Sequence, residues 1–461
     1  MDDSRIRNKK ISVIGAARSG VAVARLLQQY GAVVFVSDNE SAEKLSESLA
    51  ALRAGNIAYE TGNHSERVFD CSLMVLSPGV PSDAAVVLEA QRRRINIVSE
   101  IEAASWFCQA PIVAITGSNG KTTTTTLLGR IFSDAKKNHV VAGNIGTAFS
   151  SVVLDVDKET VVVLEVSSFQ LDFIESFHPT IAVILNITQN HMDRYGNSME
   201  KYALSKARIF MNQTAEDVLI VNADDAWSRE KIQGAKGKIL RFSTKQKISD
   251  GAYVEDEMLK TNIFSIETSV LHPQELSIKG EHNLQNAMAA VLAAQVMGIG
   301  PAHIRSTLRN FKGVEHRQEF VRDVNGITYV NDSKATTVDA VWYALNAFDE
   351  PIVLILGGKD KGNDYSKIAE LVKKKVRAIV ATGASVDIIA KAFAGMVPVH
   401  KIETSGKEKP NIISMKKTIQ AASALARPGD VVLLSPACTS FDWFKDYEER
   451  GQAFKQLVHQ L

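Results

Sequence analysis

A three-domain α/β architecture is predicted for this chain by three observations. Short β-branched runs alternate with longer helix-compatible stretches along most of the sequence. The runs are apolar almost without interruption, which marks strands covered on both faces, as in parallel sheets. The 461 residues also exceed what one hydrophobic core organises.

The first unit, about residues 1–108, carries the runs Ile11–Ile14, Val33–Val36 and Leu73–Leu76. The second, about 109–314, carries Ile112–Ile115, Val161–Val166, Ile181–Leu185 and Val218–Val221. Within it, about Lys236 to Leu276 changes character: TNIFSIETSV alternates, which predicts a small antiparallel sheet. The third, about 315–461, carries Ile352–Leu356, Ala378–Ala381 and Val431–Leu434.

Bulk properties exclude several classes. Lys+Arg and Asp+Glu stand at 53 and 52, so no basic excess points to nucleic acid. The three cysteines, Cys71, Cys108 and Cys438, are widely spaced and form neither a disulfide framework nor a metal knuckle. ISVIGAA, after the charged MDDSRIRNKK, is too short for a signal core, and no apolar run reaches membrane-helix length. A cytoplasmic location is expected.

The strongest chemical signal is IVAITGSNGKTTTT, Ile112 to Thr125. A strand runs into Gly117, Ser118, Asn119 and Gly120, and a helix pattern opens at Lys121, Thr122 and Thr123. Glycines let backbone N–H groups turn toward an anion, and the helix terminus adds its dipole. Lys121 would reach terminal phosphates and Thr122 would offer a hydroxyl to Mg²⁺. The loop is shorter than the ordinary GxxxxGK[ST] spacing; the bland alternative is a glycine turn with an exposed lysine.

Glu165 closes the apolar strand VVVLE, where a neighbouring Mg²⁺ would compensate a buried carboxylate; the alternative is a surface glutamate. Ile181–Leu185 leads into a polar loop with His191 and Asp193, and a lone His in a loop reads more readily as a surface residue than as a ligand. Lys206, in the helical pattern Ser198–Phe210, reads alone as exposed or ion-paired. In the first unit, Gly15-Ala-Ala-Arg-Ser-Gly20 is a weak dinucleotide fingerprint with Ala17 at its middle glycine, and Asp38 closes the next strand.

Taken together, TGSNGKTT, LEVSSFQL, NITQNHMDRY, GEHNLQNAMAA, EHRQE, NDSKATT, LILGGKDKGND and LLSPACTSFDWF, in that order, resemble the Mur ligase family. NDSKAT followed by SPACTSFD resembles its D-glutamate-adding branch. The resemblance implies Rossmann-like first and third domains around a central P-loop-type ATPase domain. It also implies ATP-dependent joining of D-glutamate to UDP-N-acetylmuramoyl-L-alanine, through an acyl phosphate, in peptidoglycan synthesis.

By the same resemblance, Thr122 and Glu165 would hold one Mg²⁺, and His191 with a CO₂-derived carbamate on Lys206 a second; Mn²⁺ could substitute. Asn283, Asn286, Arg317, Asp332 and Lys334 would surround ATP, with Lys121, Glu165, His191, Lys206 and Lys334 catalytic. Read without the family, Asp332 and Lys334 form a turn with an exposed ion pair. Thr336, Lys361, Ser440, Phe441 and Tyr447 would bind D-glutamate, with Lys359 an alternative to Lys361. Alone, Phe441–Tyr447 reads as amphipathic core packing. Arg18, Ser19, Asp38, Ser77, Pro78, Gly79, Asn144, Ser167 and His191 would contact the UDP substrate, although Ser77-Pro-Gly also reads as a plain turn. A monomer is expected. Rival readings are another amide ligase of this type, a nicotinamide-dependent dehydrogenase, which leaves the GKT loop unexplained, and a non-catalytic nucleotide-binding module.

Overall fold

A computed structural model describes residues 5–144, 146–190, 192–360, 362–405 and 409–461. Two compact units partition the chain: residues 1–277 with 281–311, and residues 278–280 with 312–461. The first unit holds two sheets and the second holds one.

The first sheet comprises β1 (Lys10–Ile14), β2 (Val33–Asp38), β3 (Ala58–Thr61), β4 (Leu73–Leu76) and β5 (Asn96–Ser99). Its order is β3-β2-β1-β4-β5, with every pairing parallel. The chain builds outward from β1 on one side and then returns to build on the other. The turns after β1 and β4 therefore flank a crevice at the carboxyl ends of the strands, where open α/β sheets take ligands.

The second sheet comprises β6 (Ile112–Thr116), β7 (His139–Gly143), β8 (Val161–Glu165), β9 (Ile181–Ile184), β10 (Val218–Asn222), β11 (Lys238–Ser243), β12 (Gly251–Glu255), β13 (Met258–Ile263) and β14 (Ile266–Leu271). Their order is β14-β13-β12-β11-β10-β9-β6-β8-β7. β6 lies between β8 and β9, all parallel, so the loops leaving these three strands emerge side by side. Val113, Ala114 and Ile115 of β6 are wholly buried, as the continuous apolar run requires. The antiparallel strands expected over 236–276 are β12–β14, which extend the parallel sheet at one edge. β11, in the same stretch, pairs in parallel with both neighbours.

The second unit is built on β15 (Glu319–Val324), β16 (Ile327–Asn331), β17 (Ile352–Gly357), β18 (Val376–Thr382), β19 (Val399–Lys401) and β20 (Val431–Leu434). The order β15-β16-β20-β17-β18-β19 is parallel apart from the β15–β16 hairpin. The last strand slots between β16 and β17, bringing the loops after all three to one end.

Candidate functional site

The phosphate loop leaves β6 and enters the helix Lys121–Asp134 through Gly120, whose φ of 84° is left-handed. A Cβ there would lie 2.1 Å from Asn286 Oδ1, so glycine is required twice over, by conformation and by space. Asn286 sits on the helix Glu281–Val296 and donates to Asn283 Oδ1 at 3.3 Å. The segment after β9 braces the loop. Ser118 N donates to the Asn186 carbonyl and Asn119 N to Asn186 Oδ1, both at 2.9 Å, while Ser118 Oγ donates to the Thr188 carbonyl at 2.8 Å. Lys121 Nζ folds back onto the carbonyls of Gly117 (2.8 Å) and Ser118 (3.2 Å). Thr122 and Thr123 are buried in the first helical turn.

Glu165, 1% exposed at the end of β8, is held from two sides. Thr122 Oγ1 donates to Oε2 and Asn144 Nδ2 to Oε1, each at 2.9 Å. A carboxylate and a hydroxyl converging beside a phosphate loop are the hard oxygen donors that suit Mg²⁺. Lys206 is equally buried, which corrects its reading as an exposed lysine. Its Nζ donates to the Gly117 carbonyl at 2.9 Å and lies 4.6 Å from the centre of the Tyr202 ring. Burial drives its pKa well below the ordinary lysine value, and the Lys121 charge adds to this; Asp172 and Glu165 oppose. A lowered pKa favours the neutral amine, the form that takes up CO₂, so these surroundings suit a carbamate. Ser167 caps the short helix Ser168–Leu171 reciprocally with Gln170. His191 and the side chain of Asp193 lie outside the described residues.

The crevice of the first sheet is a cleft of about 410 Å³. Its lining brings together Arg18, Ser19, Asp38, Ser77, Pro78, Gly79 and Asn144, together with His64. Asp38 ties the cleft floor: Oδ2 accepts from Ala16 N at 2.6 Å and Oδ1 from Glu40 N at 2.8 Å. Ser77 Oγ donates to the Gly15 carbonyl at 3.0 Å. A Cβ on Gly20 would lie 1.8 Å from that same carbonyl, so this glycine lets the helix Arg18–Gln29 pack directly on the turn. Ser167 is not in the lining. A larger cavity of about 700 Å³, lined among others by Arg5, Trp106, Ile112 and Thr180, includes none of the candidate residues.

In the second unit, Asp332 is buried, which corrects the exposed ion-pair reading. Ser435 Oγ donates to Oδ2 at 2.7 Å and Gln318 N to Oδ1 at 3.2 Å. Burial raises its pKa to about 7, against the Ser435 hydrogen bond and the nearby Arg317 charge. Lys334 N donates to the His316 carbonyl at 3.0 Å, and its Nζ lies 5.7 Å from the centre of the Tyr447 ring. Thr336 follows in the same turn, its N–H donating to the Lys334 carbonyl at 2.9 Å. The loop after β20 splits: Ser440, Trp443 and Phe444 are buried, whereas Phe441 is 52% exposed and so is not core packing. Lys359 pairs by backbone with Thr439 and its side chain is exposed; Lys361 lies outside the described residues.

Three family models match this chain: the MurD N-terminal domain over residues 10–86, the Mur ligase middle domain over 115–294, and the Mur ligase glutamate ligase domain over 316–438. The chain belongs to the Mur ligase family. The UDP-N-acetylmuramoylalanine--D-glutamate ligase of Salinibacter ruber is 44% identical to it over all of both chains. That of Chloroherpeton thalassium is 43% identical, again with both chains covered in full. Among solved structures, UDP-N-acetylmuramate-alanine ligase of Thermotoga maritima superposes with a TM-score of 0.58 at 20% identity, covering 98% of this chain and 100% of that one. MurF from Acinetobacter baumannii gives 0.58 at 18% identity, covering 97% and 93%. These two show that the three-domain α/β fold of this Mur ligase is shared.

Several supporting residues of this Mur ligase carry no motif signal of their own. Tyr202 joins the Lys206 helix to the phosphate loop, its hydroxyl 3.1 Å from Ser118 Oγ. Arg450, fully buried, donates to Ser333 Oγ (2.9 Å), the Ser333 carbonyl (2.8 Å) and the Cys438 carbonyl (3.1 Å). It thereby binds the NDSKAT turn to SPACTS. Glu315, His316 and Glu319 of EHRQE cluster tightly, but Lys455 Nζ bonds both carboxylates at 2.5 and 2.9 Å, so the group is an ion-pair network.

Proposed function

We propose that this chain joins D-glutamate to UDP-N-acetylmuramoyl-L-alanine at the expense of ATP, as a step in building the peptidoglycan precursor. The observation that carries the reading is the double attachment of Glu165. One oxygen holds Thr122 of the phosphate loop and the other holds Asn144 of the UDP cleft, so a single carboxylate lies between the two.

In the proposed sequence, an oxygen of the L-alanyl carboxylate attacks the γ-phosphorus of ATP and the bond to ADP breaks. The D-glutamate amine then attacks the acyl phosphate carbonyl, phosphate leaves, and the amine proton passes to solvent. A free carboxylate is a poor electrophile, which is why activation precedes amide formation. The chain mainly aligns substrates and balances charge. The turn Gly117–Thr123 is assigned to the phosphates, with Lys121 beside the terminal ones; Asn186 holds the turn in shape through the Ser118 and Asn119 N–H groups. Asn283 and Asn286 support the phosphates from the adjoining helix, and Arg317, Asp332 and Lys334 are assigned to ATP by the family resemblance. Thr122 and Glu165 would hold one Mg²⁺, and His191 with Lys206 a second, where the metal charge would offset that of the transferring phosphoryl group. Lys206 would serve as a carbamate: its neutral amine bonds the carbon of CO₂ and releases one proton, which would leave an anion beside the metals.

Arg18, Ser19, Asp38, Ser77, Pro78, Gly79, Asn144, Ser167 and His191 are assigned to the UDP substrate. Thr336, Lys361, Ser440, Phe441 and Tyr447 are assigned to D-glutamate, with Lys359 as the alternative cation. Domain boundaries near 108/109 and 314/315, a monomeric state and a cytoplasmic location complete the proposal. Among the described residues no helix is long and apolar enough to cross a membrane. The test is substrate omission. Phosphate release from Mg-ATP is expected only with both UDP-N-acetylmuramoyl-L-alanine and D-glutamate present. Equal turnover with L-glutamate and a folate would overturn the substrate assignment.

A further inference from the structure

Of the cleft residues, His64 has an orientation that its neighbours dictate. Ser37 and Glu60 face each other across the β2–β3 pairing. Ser37 Oγ lies 2.7 Å from Glu60 Oε1 and 2.7 Å from His64 Nδ1, and the Ser37 side chain has no exposure to solvent. The hydroxyl has one proton to give. Glu60 accepts on both oxygens, from Ser65 N at 2.9 Å, Ser65 Oγ at 2.6 Å and Ser37 Oγ. Burial raises the Glu60 carboxyl, but the Ser65 and Ser37 hydrogen bonds outweigh it, so its pKa falls below the ordinary value and it stays ionised at neutral pH. An ionised carboxylate only accepts. Ser37 therefore donates to Glu60, and its oxygen accepts from His64 Nδ1–H.

That assignment fixes the rest of the ring. Burial lowers the His64 pKa against the pull of Glu60 and Asp38, so the ring is neutral near pH 7. With the proton on Nδ1, Nε2 carries a lone pair and can only accept. Nε2 has no hydrogen-bond partner among the described residues, and His64 lines the cleft beside Asp38. In a sheet wound this way, phosphates sit at the first turn and ribose near the acidic end of β2. A base on that ribose would have the His64 side of the cleft within reach, since His64 and Asp38 line it together. Uracil presents one ring N–H, at N3.

We propose that His64 is a specificity-determining residue of the UDP cleft, its Nε2 accepting the uracil N3–H and its tautomer set by the Glu60–Ser37 relay. The inference rests on the reading of this cleft as the UDP site and adds the group that reads the base. A buried polar group built to meet an N–H rejects an analogue that lacks it.

The experiment measures dissociation constants of UDP and N3-methyl-UDP for the full-length wild type, His64→Phe and Ser37→Ala by calorimetry. The wild type should prefer UDP by roughly ten-fold or more, the size of one well-placed hydrogen bond left unmade. His64→Phe should collapse that ratio toward one through weaker UDP binding, and Ser37→Ala should reduce it with the imidazole still present. The ratio isolates the pairwise contact from any general loosening of the cleft. An undiminished ratio in His64→Phe overturns the proposal and leaves the UDP reading standing. An undiminished ratio in Ser37→Ala overturns the relay. Wild-type protein that binds neither nucleotide overturns the cleft reading and the proposal together.

Discussion

Lys206 donates from a buried side chain to the carbonyl of Gly117, 2.9 Å away, tying the helix Met199–Ala207 to the first residue of the phosphate loop. The bare amine so placed brings no negative charge to the metal positions, whereas its carbamate would attract metal ions. Lys206→Ala is therefore expected to cut ligation by about a hundred-fold or more, the scale of losing charge stabilisation at a transition state. Acetate or formate should restore part of the rate by filling the vacated anion position. Full activity without rescue would show that Lys206 is only a structural prop.

Lys121 reaches back to the Gly117 and Ser118 carbonyls, a conformation that phosphate would reorganise. Lys121→Ala should abolish ATP-dependent phosphate release while leaving UDP affinity within about two-fold, because the cleft lining does not include Lys121. Paired titrations with an ATP analogue and with UDP separate the two effects. Wild-type turnover would remove the phosphate-loop assignment.

Gly120 offers a purely steric test. Alanine there must hold a left-handed φ of 84° and displace Asn286. Strain of about 1–3 kcal/mol is expected, with ATP affinity falling more than UDP affinity. Equal affinity of Gly120→Ala for the ATP analogue would mean that the Gly120–Asn286 contact yields freely.

The motif positions were legible because chemistry demands unusual residues at strand ends: Lys121 after β6 and Glu165 closing β8 both lie where the sequence put them. Central strands were equally plain, since burial on both faces writes an unbroken apolar run, as in Val161–Leu164. Edge strands other than β14 were not. β3, β5, β7, β15 and β19 each end a sheet, and AYET or EFVRDV mixes polar with apolar residues because one flank meets solvent. Residues that act by long-range contact left no local trace. Ser37 reads as a strand serine until Glu60 and His64 are folded beside it, and Arg450 lies 117 positions from the Ser333 it binds.

Arg450 supplies a stability test within the second unit. Its guanidinium serves three acceptors of two motif turns, and burial lowers its pKa only to about 10, so it stays charged at neutral pH. Arg450→Met takes the donor from the buried Ser333 and Cys438 carbonyls and should cost roughly 1–3 kcal/mol for each. Arg450→Lys should recover little, since a single ammonium cannot reproduce the planar fork. Hydrogen exchange over 312–461 would locate the loss, and exchange rates unchanged in Arg450→Met would contradict it.

Asp332 makes the stability of the same unit depend on pH in an unusual direction for a carboxylate. Burial raises its folded pKa to about 7 from an unfolded value near 3.8, more than the Ser435 hydrogen bond and Arg317 can offset. Between those two values the folded state holds a proton that the unfolded state has released. This contribution therefore favours folding most at low pH, shrinks as pH rises through the window, and levels off above about 7. From pH 5 to 8 the loss from this one group is roughly 3 kcal/mol. Asp332→Asn keeps the shape without the titration, so its hydrogen-exchange stability over 312–461 should fall less than that of the wild type across the same range. Parallel pH profiles for the two proteins would place the Asp332 titration outside this window and remove burial as its controlling influence.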